Sequence, residues 1–409
     1  MISSLDSRYS AQLTPIKDFL GDEAFVYYMS VWSIAYAEAT NKDCFIPLYE
    51  DRNELYDRVK RFEVETRHQM TALLRVLEQD YPKVKWHQYS TSEDCMTSAR
   101  SIQMNLIISK VYDEVRKIEE QIQRLTSSVK FPILEHTHGQ PATPVDLAPF
   151  LRAKVRDIYL ARPNLRLGGS NGQLSIWKKV AEASNMQFDA VKLGQRILKR
   201  LTEKLGDDIS FEDVEISVPN DKVGLLQVGP HNDHTYLSAM SLSLKLRALS
   251  RTFWSHANRK LLKLHTSKTQ TGSSAMPTKV NPINFENSEG CFTIAYQTFT
   301  TALEANCDTR GLRDLSNSVV NRQLFDGWAF LYLGIKNLVR GMETSEYSVE
   351  NCLKELHENP DCLGEYLRYY IQTTEKRDPY FEIKNNPPVD FNETVSRMPG
   401  WNFKWPREL

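Results

Sequence analysis

Residues 22 to 138 contain no glycine, and only Pro47, Pro82 and Pro132 punctuate that run. Tight reversals between short strands draw on glycine, because a positive backbone φ is costly for any residue with a Cβ. A stretch this poor in turn formers predicts long helices. Within 93 to 128, Ile107, Val111, Val115, Ile118, Ile122 and Leu125 recur at helical spacing, with Arg116, Glu119, Glu120 and Arg124 between them. That pattern is an amphipathic helix of bundle length. Thr91 and Ser92 followed by Glu93 and Asp94 give it a capped, acidic first turn. Residues 231 to 265 lack both Gly and Pro and space Leu242, Leu246, Leu249 and Phe253 helically, and 283 to 359 lack Pro. The expected fold is all-α, with a central bundle of long helices. The tail from Pro379, rich in Pro, Asn, Phe and Trp, reads as an irregular end.

The punctuation is concentrated in HTHGQPATP (136 to 144), LGGSNG (167 to 172), the Gly224 to Pro230 stretch and TGSSAMPTKVNP (271 to 282). In a helical scaffold such loops carry chemistry. The last loop combines Gly272, two serines, two prolines, Lys279 and Asn281. It fits an anionic ligand, with Lys279 as the point charge, or a plain Ser-rich surface loop. His138 reads as a general acid or base, or as a buried hydrogen-bonding residue. His136, His138, His231 and His234 lack the carboxylate and cysteine spacing of metal motifs, so no metal is expected. Arg67 and His68 are expected on a helix, where a solvated polar face is the bland alternative.

The 51 basic and 52 acidic side chains leave a net charge of -1, which argues against a nucleic-acid binder relying on bulk charge. No apolar run reaches the roughly 18 residues needed to cross a bilayer, and the N-terminus lacks a basic segment followed by an apolar one. The cytosol is the expected compartment and no membrane is expected as partner. Six scattered cysteines without a CxxC pair predict reduced thiols used in packing.

GSSAMPTKVNP resembles the signature loop of the fumarase/aspartase superfamily, GSSxMPxKxNP, and its extension INFENSEG is similar to the version found in the adenylosuccinate lyases. SLDSRY (4 to 9), TRH (66 to 68), TSED (91 to 94), HTHGQPATP and RDLSNSVVNR fall in that family's order, from about residue 4 to residue 322. The resemblance implies a three-domain helical subunit: an N-terminal helical domain at 1–92, a central long-helix bundle at 93–341, and a C-terminal domain with its tail at 342–409. It implies a homotetramer with active sites shared between subunits, a succinylated nucleotide as small-molecule substrate, and no cofactor. The implied reaction is β-elimination of fumarate, from adenylosuccinate to AMP and from SAICAR to AICAR.

By the same resemblance Ser273 is the general base and His138 the general acid. Arg8 and Tyr9 would meet the phosphate, together with Arg313, Ser318 and Arg322, and Val320 would be among the substrate-binding residues. Thr91 and Ser92 would meet a succinyl carboxylate, Gln227 the substrate's polar edge, and Arg67 and His68 would assist. Ser274, Lys279, Val280, Asn281 and Asn287 would line the loop's side of the pocket. Several features depart from the family pattern: Gln69 replaces the usual Asp, CMTSA follows TSED, Thr278 stands where His or Tyr is common, and LGGSNGQLS resembles the family's glycine-rich segment only loosely. These departures bear on substrate choice. The alternatives are a superfamily lyase for another succinylated compound, such as a modified or deoxy succinylpurine nucleotide or argininosuccinate, and a non-catalytic helical scaffold.

Overall fold

The computed structural model describes residues 3–41, 44–206, 214–218, 232–266, 276, 278–307, 310–311 and 314–400. Helix dominates. The long helices are α4 (Ser92–Thr126), α8 (Asp233–Asn258), α9 (Ile283–Cys307) and α10 (Ser316–Glu343). Strands among the described residues occur only as two-stranded pairs, so the all-α expectation holds.

The chain divides into two compact units, residues 1–113, 159–244 and 291–333 in the first and residues 114–158, 245–290 and 334–409 in the second. The first unit is organised around α1 (Gly21–Thr40), buried from Ala24 through Glu38. A helix apolar on every side belongs in a core. Against it pack α2 (Arg52–Thr66), α3 (Gln69–Asp80) and α7 (Ala190–Leu205). Helix α7 buries Leu193, Ile197 and Leu201 at four-residue steps and turns Lys192, Arg196 and Lys199 outward, as an amphipathic surface helix should. A short parallel pair, β3 (Leu165–Arg166) with β4 (Ile216–Ser217), completes this unit's sheet content among the described residues.

The second unit holds the antiparallel hairpin of β1 (Ile133–Thr137) and β2 (Gln140–Val145), and the antiparallel pair β5 (Leu262–Leu264) with β6 (Ser345–Tyr347). Around them lie α5 (Leu147–Val155), α11 (Val349–Glu358) and α12 (Gly364–Glu375).

Several expectations need correction. The helical reading of 231–265 runs too far: α8 stops at Asn258 and the chain enters β5. Lys260 takes φ 64°, while Leu261 N–H bonds to His256 C=O at 2.9 Å and Lys260 N–H to Ala257 C=O at 3.1 Å. This is a Schellman stop with lysine where glycine is usual, so sequence offered no signal for it. The tail is not wholly irregular, since it contains α13 (Tyr380–Asn385) and α14 (Phe391–Ser396), the latter capped by Asp390 on Glu393 N–H at 2.7 Å. Of the six cysteines, all free, Cys95, Cys291, Cys352 and Cys362 are buried, but Cys44 is half-buried and Cys307 exposed, so not all are packing residues.

Candidate active site

In the first unit, chain corners carry the predicted polar residues. Arg67 closes α2 at φ 49°, donating its N–H to Glu63 C=O at 2.8 Å, and His68 opens α3. The two therefore sit at the break between two helices, not on a helix as the sequence suggested. His68 Nδ1 accepts the N–H of Thr71 at 3.2 Å. With Nδ1 so engaged, Nε2 is the nitrogen left to face a ligand. His87 and Tyr89 also take positive φ, 53° and 58°. In a glycine-free segment the reversals fall on residues with side chains, at a local cost of roughly 1 kcal/mol or more each.

Thr91 caps α4 reciprocally: its N–H bonds to Asp94 Oδ2 at 3.1 Å, and Asp94 N–H reaches Thr91 Oγ1 at 3.4 Å. The expected cap is present, with Ser92 as the first helical residue. Asp94 does more than cap. Fully enclosed, it pairs with the equally enclosed Arg166 and accepts Gly168 N–H at 2.8 Å and Gly169 N–H at 3.1 Å. A Cβ on Gly168 would lie 2.7 Å from the Arg166 guanidinium, which explains glycine there. The glycine-rich LGGSNG segment is thereby fastened to the first turn of α4.

Sequence reading missed His87. Burial holds its pKa below the ordinary value of 6.5; the Asp94 carboxylate pulls it upward, while nearby His68 adds to the depression. A neutral imidazole thus lies near both His68 and the α4 cap. Nothing in the sequence around His87 marked it.

Next to His68, Gln69 is buried and donates Nε2–H to Asp22 Oδ1 at 3.0 Å, while Asp22 Oδ2 accepts Tyr56 O–H at 3.2 Å. Gln69, Asp22, Arg100, Asn321 and Arg322 line a cavity of about 260 Å³. Arg322 also borders a larger hollow of about 570 Å³ with Lys17, Arg52 and Asp326. Burial raises the Asp326 pKa, and Asp6 adds to the effect. Of the predicted phosphate residues, Arg322 is thus brought to the His68–Gln69 corner. Ser318 and Val320 are half-buried on α10, Arg8 is exposed, and Tyr9 sets its ring edge-on to Phe330 at 6.4 Å.

In the second unit, His138 occupies the tip of the β1–β2 hairpin. Thr137 pairs with Gln140, leaving His138 (φ 54°) and Gly139 (φ 77°) as a two-residue turn. Both central φ values are positive, as a type I′ turn requires, and Asn or Gly is the usual occupant. Histidine here is a strained choice, exposed at a tip, and such outliers point to function. The reading of His138 as a buried hydrogen-bonding residue is set aside by that exposure.

Val280 and Asn281 line a recess with Arg340 and His265, and His138 is not among its walls. Lys279 and Asn287 are exposed, and Lys279 N–H bonds to Met276 C=O at 3.0 Å. Ser273, Ser274, Gln227 and Arg313 lie outside the described residues.

Residues 55–295 match the sequence profile of a family described as lyase. Adenylosuccinate lyase of Vibrio cholerae is 24% identical over 94% of this chain and 88% of its own length. Adenylosuccinate lyase of Dictyostelium discoideum is 25% identical over 97% of this chain and 89% of its own. Among solved structures, a fumarate lyase from Mesorhizobium superposes with a TM-score of 0.63 at 14% identity, over 94% of this chain and 89% of that one. A 3-carboxy-cis,cis-muconate lactonizing enzyme from Pseudomonas putida gives 0.62 at 14% identity, over 94% and 90%. These likenesses carry the fold.

Proposed function

The chain belongs to the lyase family, and from that membership we propose that it is a carbon–nitrogen lyase that eliminates fumarate from succinylated purine nucleotides, adenylosuccinate to AMP and SAICAR to AICAR. The single observation that supports this most is His138, an exposed imidazole held at a turn position that sequence preference assigns to Asn or Gly. An imidazole presented at a strained, exposed tip suits proton transfer to a departing group.

In the proposed reaction Ser273 takes the proton from the succinyl carbon adjacent to the C–N carbon. Its oxyanion would need loop N–H groups and the Lys279 ammonium for support. The electron pair forms the new C=C bond as the C–N bond breaks, and charge passes transiently through a succinyl carboxylate. His138 protonates the departing nitrogen. Thr91 and Ser92 hold the succinyl carboxylate at the start of α4, where the helix dipole favours an anion. Arg8, Tyr9, Arg313, Ser318 and Arg322 form the phosphate end, with guanidinium forks matched to its oxygens, and Val320 belongs to the substrate's surroundings. Arg67, His68, Gln227, Ser274, Val280, Asn281 and Asn287 complete the substrate's surroundings.

We further propose a homotetramer with shared sites, built from the segments 1–92, 93–341 and 342–409. Its support is the set of large apolar side chains exposed on long helices: Leu237, Leu244 and Trp254 on α8, Ile294 on α9 and Val319 on α10. Contact with further copies of the chain would cover such apolar side chains. Among the described residues no helix is long and apolar enough to cross a membrane. The proposed compartment is the cytoplasm, where nucleotide monophosphates are made and used.

A second reading keeps the elimination and changes the substrate. Gln69, tied to Asp22 beside Arg100 and Arg322, favours it by placing an amide in this cavity at the position where the family pattern has a carboxylate. Offering adenylosuccinate, its deoxy form and argininosuccinate side by side separates the readings. Fumarate from adenylosuccinate at the highest kcat/KM supports the first; preference for either of the others replaces it.

A further inference from the structure

The β1–β2 hairpin is a two-stranded ribbon, and such a ribbon is marginal in water on its own. Pro141 and Pro144 on β2 have no N–H to offer a third strand, so the sheet ends there. The register also shifts between Glu135 and His136, with Glu135 opposite Thr143 and His136 opposite Pro141. A bulge re-aims whatever lies beyond it, and what lies beyond is His138. The direction of the tip must therefore be fixed from outside the ladder.

Three side chains do this. His256, at the end of α8 and almost fully buried, bridges Tyr347 and Glu135: Nδ1 meets Tyr347 Oη at 2.6 Å, and Nε2 meets Glu135 Oε1 at 2.6 Å. Whether the ring is neutral with Tyr347 donating to Nδ1, or doubly protonated, Nε2–H is the donor to Glu135. Arg259, one turn further on, donates to the Leu134 carbonyl and is held by Glu355 at 2.9 Å and 2.7 Å. On the other strand Tyr366 donates its O–H to Pro144 C=O at 3.0 Å. Burial opposes charge on Glu135, but the His256 bond and the Arg259 cation outweigh it and hold its pKa below the ordinary value of 4.5. The clamp grips the ribbon at Leu134 and Glu135, on the near side of the bulge, and on its outer edge at Pro144.

We propose that His256 and Arg259 are positioning residues that clamp the β1–β2 ribbon at its bulge and so aim the His138 imidazole at the departing nitrogen. Neither touches substrate. The inference rests on the reading of His138 as the general acid. A tip displaced by about 1 Å can lower turnover on the order of a hundredfold while leaving binding alone.

The test uses the full chain with adenylosuccinate and, separately, amide hydrogen exchange at residues 136–140 without substrate. His256→Leu should lower kcat by about thirtyfold or more, with KM within about threefold, and should speed exchange at the tip by about tenfold. His256→Gln, which restores an N–H aimed at Glu135, should recover most of both. If His256→Leu does not fold, Tyr366→Phe removes one hydroxyl from the ribbon's edge and should lower kcat severalfold with faster tip exchange. Unchanged kcat and unchanged exchange in the variants overturn the proposal, as does a fall in kcat that the glutamine does not rescue. If His138→Asn turns over like the parent, the acid reading has failed; the exchange data then judge the clamp by themselves.

Discussion

Asp94 and Arg166 form an ion pair in which neither side chain exposes any surface, joining the first turn of α4 to the glycine-rich segment after β3. Ser98 reinforces the joint, accepting Arg166 N–H at 3.0 Å and donating to Arg166 C=O at 3.2 Å. The residues proposed to hold a succinyl carboxylate, Thr91 and Ser92, take their position from this pair.

Removing one partner of a buried pair strands the other's charge, which costs about 3–5 kcal/mol. Asp94→Asn should therefore lower unfolding stability by roughly 3 kcal/mol or more in a urea titration.

The strained turn makes a separate prediction. Asn tolerates positive φ, so His138→Asn should keep the hairpin and leave the thermal midpoint within a few degrees, while turnover falls by about 10²–10⁴-fold. Loss of folding together with activity would mean that the side chain serves the turn itself.

Gly327 on α10 faces Thr298 on α9, and an added Cβ would come within 2.8 Å of the Thr298 methyl. Although alanine favours helix by about 1 kcal/mol over glycine, the overlap should win. Gly327→Ala is expected to destabilise by about 1–3 kcal/mol in the same titration.

His87 gives a pH dependence. Its folded pKa is depressed from 6.5, so above that value both states are neutral and its contribution is constant. As pH falls below about 6.5 the unfolded chain takes up the proton first and stability declines until the folded pKa is passed. His87→Asn keeps a residue tolerant of φ 53° and should flatten the stability profile between pH 7 and pH 5.

Local patterns were legible in the sequence: the amphipathic run of α4 and its Thr91 cap follow from spacing and from chemistry within one turn. The Asp94–Arg166 pair was not legible, because its partners are 72 residues apart and nothing local marks Arg166 as buried. The corner at Arg67 and His68 was read as helix because arginine does not announce a left-handed conformation. HTHGQPATP looked like a loop because its prolines argue against a strand, yet β2 lies at the edge of a two-stranded ribbon, where a missing N–H is tolerated. His87 carried no motif.

The central claim is that this chain breaks the C–N bond of a succinylated purine nucleotide. Its most direct test is to incubate the purified protein with adenylosuccinate and quantify both products. Equal amounts of AMP and fumarate, abolished in Ser273→Ala, are the predicted result. A folded protein that releases neither product would contradict it.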